Sequence, residues 1–154
     1  MSQKEKIKVI ATNKKAFHFY DILEKREAGL VLTGSEIKSI REGKVNFKDS
    51  YVRFHKGEAY LIGLHIAPYE KASYLGHEPE RDRKLLLHKR EILSLQGKVQ
   101  QKGLTVIPLK IYLKGPWAKV EIALCRGRNI RDRREELKRK AIKMDIAREM
   151  SKYK

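Results

Sequence analysis

The sequence predicts a mainly β fold, a six-stranded antiparallel β-barrel with three short helices between its strands, and three observations predict it. Two stretches have hairpin form, an alternating run, a tight turn and a second run: "SYVRFHKGEAYLIGLHI" around Lys56-Gly57 and "LTVIPLKIYLKGPWAKVEIALC" around Lys114-Gly115-Pro116. A third run, "YDILEKREAGLVL" from Tyr20 to Leu32, pairs apolar with charged residues and reads as one long curved strand, Gly29 allowing a bend or bulge. The helical segments between these runs are too short to stand without packing on a sheet. Bent strands joined by tight turns suit closure, so a small barrel resembling the oligonucleotide-binding (OB) fold fits better than a sandwich.

Residues 1–11 are a short basic leader with few apolar anchors, expected to be loose. Order is expected from "TNKKAFHFY", where Thr12 or Asn13 can cap a helical turn by accepting from an early backbone N–H. After the long strand, Thr33-x-x-Glu36 is a capping-box pattern, Ile37 and Ile40 give the helix an apolar side, and Gly43 is placed to stop it. Residues 68–83, "PYEKASYLGHEPERDR", show no periodicity and read as a long loop. "KLLLHKREILSLQGK" begins as a strand and continues as a helix over about 89–95, with Gly97 as its stop. In the last run Val120, Ile122 and Leu124 share a buried face, while Lys119 and Glu121 share a wet one.

The chain of 154 residues carries 36 Lys plus Arg against 19 Asp plus Glu, a net charge of +17. With 41% apolar residues it can bury a core, and one domain is expected at this length. Charge of this size attracts polyanions before contact, nucleic acid first among them. The single cysteine, Cys125, excludes an intramolecular disulfide. Neither a signal peptide nor an apolar run long enough to span a bilayer is evident, so a soluble, cytoplasmic setting is expected.

From Arg126 to Lys154 the chain holds 12 basic and 5 acidic residues, +7, and the other 125 residues hold the remaining +10. The expected division is therefore 1–126, an OB-like RNA-binding barrel, and 127–154, a basic tail that is disordered or helical. In that tail Ile142, Ile146 and Met150 form a narrow stripe beside Leu137, Ala141 and Met144, too little to hold a helix without a partner surface.

The search for catalytic chemistry is nearly empty. "TGSEIKS" lacks the spacing of a phosphate cradle, "GLTVIP" lacks its second glycine and its lysine, and His18, His55, His65, His77 and His88 show no metal-ligand pattern, so neither cofactor nor metal is expected. Acidic pairs such as Glu78 and Glu80 or Glu135 and Glu136 fall in loop or tail, where the burial that acid–base work needs is missing. Cys125 reads as a small semi-buried residue rather than a nucleophile. Binding chemistry is richer: Asn13, Lys14 and Lys15 adjoin Phe17, His18, Phe19 and Tyr20, and "RDRKLLLHKRE" sets five basic residues around three leucines. Each stretch also has a plainer reading, aromatic or leucine core with solvated lysines around it.

Four blocks in order, "TNKKAFHFY", "EAGLVLTGSEIKSIREGKVNFKDSYV", "RDRKLLLHKREI" and "GLTVIPLKIYLKGPWAKVEIALCRGRNIRDRRE", resemble the small protein B (SmpB) family, the tmRNA-binding proteins of bacterial trans-translation. The resemblance runs from about Thr12 to Met150. It implies an RNA-binding protein without catalysis or cofactor, free as a monomer, that binds the tRNA-like domain of tmRNA in place of a missing anticodon arm. It implies delivery of that RNA to stalled ribosomes, with elongation factor Tu joining through the aminoacylated tmRNA. Carried over residue by residue, tmRNA contacts fall on Asn13, Lys14, Glu27 and Leu86, with His18 and Lys84 as neighbours. The tail block Gly127-Arg128-Asn129-Ile130-Arg131-Asp132-Arg133-Arg134 stands where the family has Gly-Lys-Lys-x-(Tyr or His)-Asp-Lys-Arg. By resemblance Gly127, Arg128, Arg131, Asp132, Arg133 and Arg134 meet the decoding centre, and the rest of the tail folds as a helix in the empty message channel. Asn129 replaces a lysine and Arg131 a flat ring; a guanidinium plane can also stack on a base.

Three rival readings make distinct predictions. A general RNA-binding or ribosome-associated protein would lose affinity uniformly as charge is removed, with no special effect of Glu27 or Leu86. A membrane-surface protein would need a fuller apolar stripe than the tail offers. An RNA-modifying enzyme would leave a nucleotide of changed mass.

Overall fold

The computed structural model describes residues 6–69 and 77–127. Its elements run β1 (Ile7–Thr12), α1 (Lys14–Phe19), β2 (Tyr20–Leu30), α2 (Gly34–Arg41), β3 (Val45–Asn46), β4 (Tyr51–His55), β5 (Glu58–Ile62), β6 (His65–Ile66), β7 (Arg83–Leu86), α3 (Lys89–Lys98), β8 (Leu104–Lys114) and β9 (Trp117–Gly127). The fold is mainly β with three short helices. Every pairing is antiparallel: a seven-stranded sheet in the order β1-β8-β9-β2-β7-β5-β4 and a two-stranded ribbon of β3 and β6.

The observed sheet departs from the six-stranded expectation. Nine strands stand where six were expected, because the second half of the first hairpin breaks at Gly63 (φ 83°), so that His65–Ile66 pairs with β3 instead, and because the leader contributes a strand. Nor do hydrogen bonds close the sheet among the described residues: its ladder ends on β1 and β4, and it curls until β4 comes close to β8.

The leader is not loose over residues 7–11, which lie in β1. β8 would otherwise offer an open edge, and β1 pairs with it from Ile7 opposite Lys114 to Thr12 opposite Lys110. Ile10 and Ala11 then pack on the core. Few apolar anchors suffice because the ladder itself satisfies the backbone.

Turn chemistry explains both long hairpins. Lys56 (φ 50°) and Gly57 (φ 76°) are both left-handed, which matches the twist of flanking strands in a two-residue hairpin. Gly115 (φ 59°) opens the turn between β8 and β9. The irregularity in β2 lies between Ile22 and Glu24, not at Gly29, which sits in regular pairing with Lys119 and Leu86.

The capping box of α2 forms as expected: Glu36 N–H donates to Thr33 Oγ1 and Thr33 N–H donates to Glu36 Oε1 at 2.8 Å. Gly43 (φ 75°) stops it, its N–H donating to the Ile40 carbonyl at 2.8 Å. α3 runs through Gly97 to Lys98 instead of stopping before it, since Ile92 and Leu95 are buried and outweigh the roughly 1 kcal/mol that a helical glycine costs. The core includes Ile40, Leu61, Leu64, Ile66, Leu85, Leu95, Ile111 and Ile122, each fully buried and worth about 1.5–3 kcal/mol in transfer free energy.

The expected loop 68–83 ends in a built network. Arg83 and Glu36 are both 0% exposed, Arg83 Nε donating to Glu36 Oε2 at 2.7 Å and its Nη1 to the Leu64 carbonyl at 2.7 Å. Arg81 adds two donors to the same carboxylate, at 2.9 and 2.6 Å. Burial pushes the Glu36 carboxyl up, but the donors from Arg81, Thr33 and Arg83 outweigh it and leave it below its ordinary value. This pins the start of α2 to β7 and so fixes how β7 lies against β2.

Candidate nucleic-acid interface

In the part of the sheet formed by β1, β8, β9, β2 and β7, Ala28, Val120 and Ile111 face the core, so their neighbours Glu27 and Gly29, Lys119 and Glu121, and Lys110 and Tyr112 occupy the outer face. Register aligns these outer residues in two rows. One runs Thr12, Lys110, Glu121, Glu27, and the other Val9, Tyr112, Lys119, Gly29, Leu86.

One end of this face is covered by α1. Pro108 has no N–H for the ladder and β8 bulges next to it, and the Pro108 and Leu109 carbonyls there accept from Asn13. Asn13 N–H donates to Leu109 O at 2.7 Å and Asn13 Nδ2 to Pro108 O at 2.8 Å. Asn13 is therefore buried as an anchor, and its side chain does not cap the helix that it precedes. Ala16 packs on Ile107, Leu109, Ala123 and Cys125, so the half of the β9 face expected to be wet is dry beneath α1. Cys125 is accordingly fully buried rather than semi-buried, and burial pushes its thiol up to about 12.

The aromatic run divides between the two readings open to it. Phe17 is exposed and Tyr20 is partly buried against the Ala16 cluster, while Lys14 and His18 are exposed on α1. Glu27 lies further along the same face, mid-strand on β2. Tyr112 donates its hydroxyl proton to Glu27 Oε2, and Lys114 Nζ stands 3.4 Å from Oε1. The bond from Tyr112, helped by Lys114 and Lys119, holds the Glu27 carboxyl below its ordinary value despite some desolvation. Tyr112 itself is only 6% exposed, and burial first, then the bond to Glu27, raises its pKa.

Leu86, on β7, is 56% exposed beside Gly29. Lys84, two residues earlier on the same strand, is half-exposed and pairs with Glu58 at 3.4 Å. Lys14, His18, Glu27, Lys84 and Leu86 thus belong to one continuous side of the molecule, with Asn13 beneath it. Gly127 ends β9, whereas Arg128, Arg131, Asp132, Arg133 and Arg134 lie outside the described residues.

Sequence reasoning missed Tyr112 and Lys114 as partners of Glu27. The signal was present in the alternation Lys110, Tyr112, Lys114 along β8, but pairing across an intervening strand needs the strand order. Such a surface can do three things: attract phosphates through lysines, pack an unstacked base on Leu86, and accept from a base amino group or 2′-OH at Glu27. Among the described residues no group of three His, Cys, Asp or Glu stands together to hold a metal ion, and no helix is long and apolar enough to cross a membrane.

Comparison with known proteins places the chain among relatives. The sequence model of the family described as SmpB protein matches residues 10–152. An SsrA-binding protein of Solidesulfovibrio magneticus is 59% identical over 146 residues, covering 95% of each chain. One of Microcystis aeruginosa is 53% identical over 152 residues, covering 98% of this chain and 99% of its own. A solved chain from "tmRNA-SmpB: a journey to the center of the bacterial ribosome" is 56% identical and superposes with a TM-score of 0.66, covering 76% of this chain and 82% of that one.

Proposed function

The chain belongs to the SmpB family of SsrA-binding proteins, and from that premise we propose how its surface serves the family's work. The protein binds tmRNA (SsrA RNA) and acts with it on the ribosome in trans-translation. The tRNA-like domain of the RNA lies on the outer sheet face, where Lys14, His18 and Lys84 meet phosphates, Leu86 packs on an unstacked base and Glu27 accepts from an amino or hydroxyl group. Asn13 acts from below by holding α1 against β8. The single observation that carries this reading is that one open side of the sheet gathers these residues although they come from three separate stretches of sequence.

The curl that brings β4 close to β8 supports reading residues 1–126 as a barrel of the OB kind, which stands in for the absent anticodon arm. The tail, 127–154, folds when it enters the decoding centre and the empty message channel, its ordering offset by contacts with ribosomal RNA. Gly127, Arg128, Arg131, Asp132, Arg133 and Arg134 form its first segment there. The protein catalyses nothing, needs no cofactor and works in the cytoplasm as a monomer when free. Elongation factor Tu joins through the aminoacyl end of the RNA.

The test is tagging on ribosomes stalled on a message without a stop codon, with purified tmRNA and elongation factor Tu. Tag addition should depend on this protein and be lost in the Glu27→Ala and Leu86→Ala variants. Full tagging by both variants would remove the sheet face from the mechanism.

A further inference from the structure

Glu27 poses an electrostatic problem that its neighbours solve. A carboxylate on the RNA-facing side of a +17 protein has cations on the strands around it: Lys114 and Lys110 on β8, Lys119 on β9, and Lys25 on its own strand. It also faces Glu121 directly across the β2–β9 pair, a like-charge juxtaposition that disfavours both groups. Left to the lysines alone, it would be pulled between several partners and its charge would be neutralised. Tyr112 supplies a different kind of partner. Its strand is separated from β2 by β9, so the phenol must reach over β9 to donate to Glu27 Oε2. Its ring is buried with the Lys110 ammonium 5.9 Å from its centroid, which fixes the hydroxyl in place.

We propose that Tyr112 is the positioning residue for Glu27 in RNA discrimination, holding the carboxylate in one orientation with a neutral donor. A phenol occupies one lone pair and, unlike an ammonium, brings no charge of its own. Oε1 is shared with Lys114 at 3.4 Å, and its remaining lone pair and the second of Oε2 stay available to accept from a nucleotide. Phosphates are repelled from that spot, while an amino or 2′-OH donor is accepted, and only a correctly seated RNA places a donor there. This inference rests on the reading of Glu27 as an RNA contact.

The test is equilibrium binding of the full-length protein and its Tyr112→Phe, Glu27→Ala and doubly substituted variants to the tRNA-like domain of tmRNA and to a plain hairpin of equal length. Tyr112→Phe keeps the buried ring and removes only the donor. It should cut the preference for the tRNA-like domain about five- to tenfold, the scale of one ordinary net hydrogen bond, and leave hairpin affinity unchanged. On the Glu27→Ala background the same change should do nothing further, a non-additivity that a merely structural role would not produce. If Tyr112→Phe keeps the preference, or lowers it equally on both backgrounds, the inference fails while Glu27 remains a contact. If Glu27→Ala itself keeps the preference, the reading of Glu27 fails and takes the inference with it.

Discussion

Gly29 and Leu86 lie directly opposite each other on β2 and β7, so close that a Cβ added to Gly29 would stand 3.2 Å from the Cβ of Leu86. The glycine is there for the approach of the neighbouring strand, not for a bend. It sets Leu86 beside Glu27 on the outer face.

Gly29→Ala should therefore push β7 away. Overpacking costs about 1–3 kcal/mol, offset in part by the lower entropy of the unfolded alanine chain, and a net loss of about 1 kcal/mol is expected in urea unfolding. Preference for the tRNA-like domain should fall as well, because Leu86 is displaced. An alanine variant as stable and as selective as the parent would contradict the packing described.

Leu86→Ala separates recognition from folding. The side chain is mostly exposed, so stability should stay within about 0.5 kcal/mol of the parent. Affinity for the tRNA-like domain should drop while that for an unstructured RNA holds, as measured by filter binding or anisotropy. Equal losses on both RNAs would return Leu86 to the role of an incidental surface leucine.

Arg83→Met leaves the Glu36 carboxylate buried with, among the described residues, only the partly exposed Arg81 as its cation. Breaking a buried pair in this way costs about 3–5 kcal/mol, and the lower end is expected because Arg81 remains. Chemical denaturation measures it. A change below about 1 kcal/mol would mean that the network contributes little.

The same network sets an acid limit. Glu36 has a folded pKa below its unfolded value, so the unfolded chain binds more protons and stability rises with pH through the carboxylate range. The contribution is fully present above the unfolded value and disappears as pH falls through the folded one. Urea midpoints taken between about pH 3 and pH 7 should show this fall in the parent and a shallower one in Glu36→Gln, which begins lower at neutral pH. Parallel curves would assign the acid limit to other groups.

Much of this was legible in the chain before folding. The Thr33–Glu36 box and the turns at Lys56-Gly57 and at Gly115 are local, set by a few adjacent residues, and all three form. What escaped depended on partners distant in sequence. Arg83 reads as a solvated cation in "RDRKLLLHKRE", yet it alternates with Leu85 onto the core face, as Glu36 does with Ile40 one helical turn later. Asn13 looks like a cap or a base-binding side chain, and only the bulge beside Pro108 makes it an anchor. Glu27 was reached through the family resemblance, and its partner Tyr112 lies two strands away in the sheet.

Salt dependence of binding tests the central claim, that the sheet face recognises an RNA shape and does not merely attract charge. The full-length protein is titrated with the tRNA-like domain of tmRNA and with an equal-length hairpin from low to moderate salt. Hairpin affinity should fall about a thousandfold if six or more phosphates are contacted, while the tRNA-like domain stays bound and its preference persists at the highest salt. Parallel loss on both RNAs, with no preference left, would contradict the account and leave a general polyanion binder.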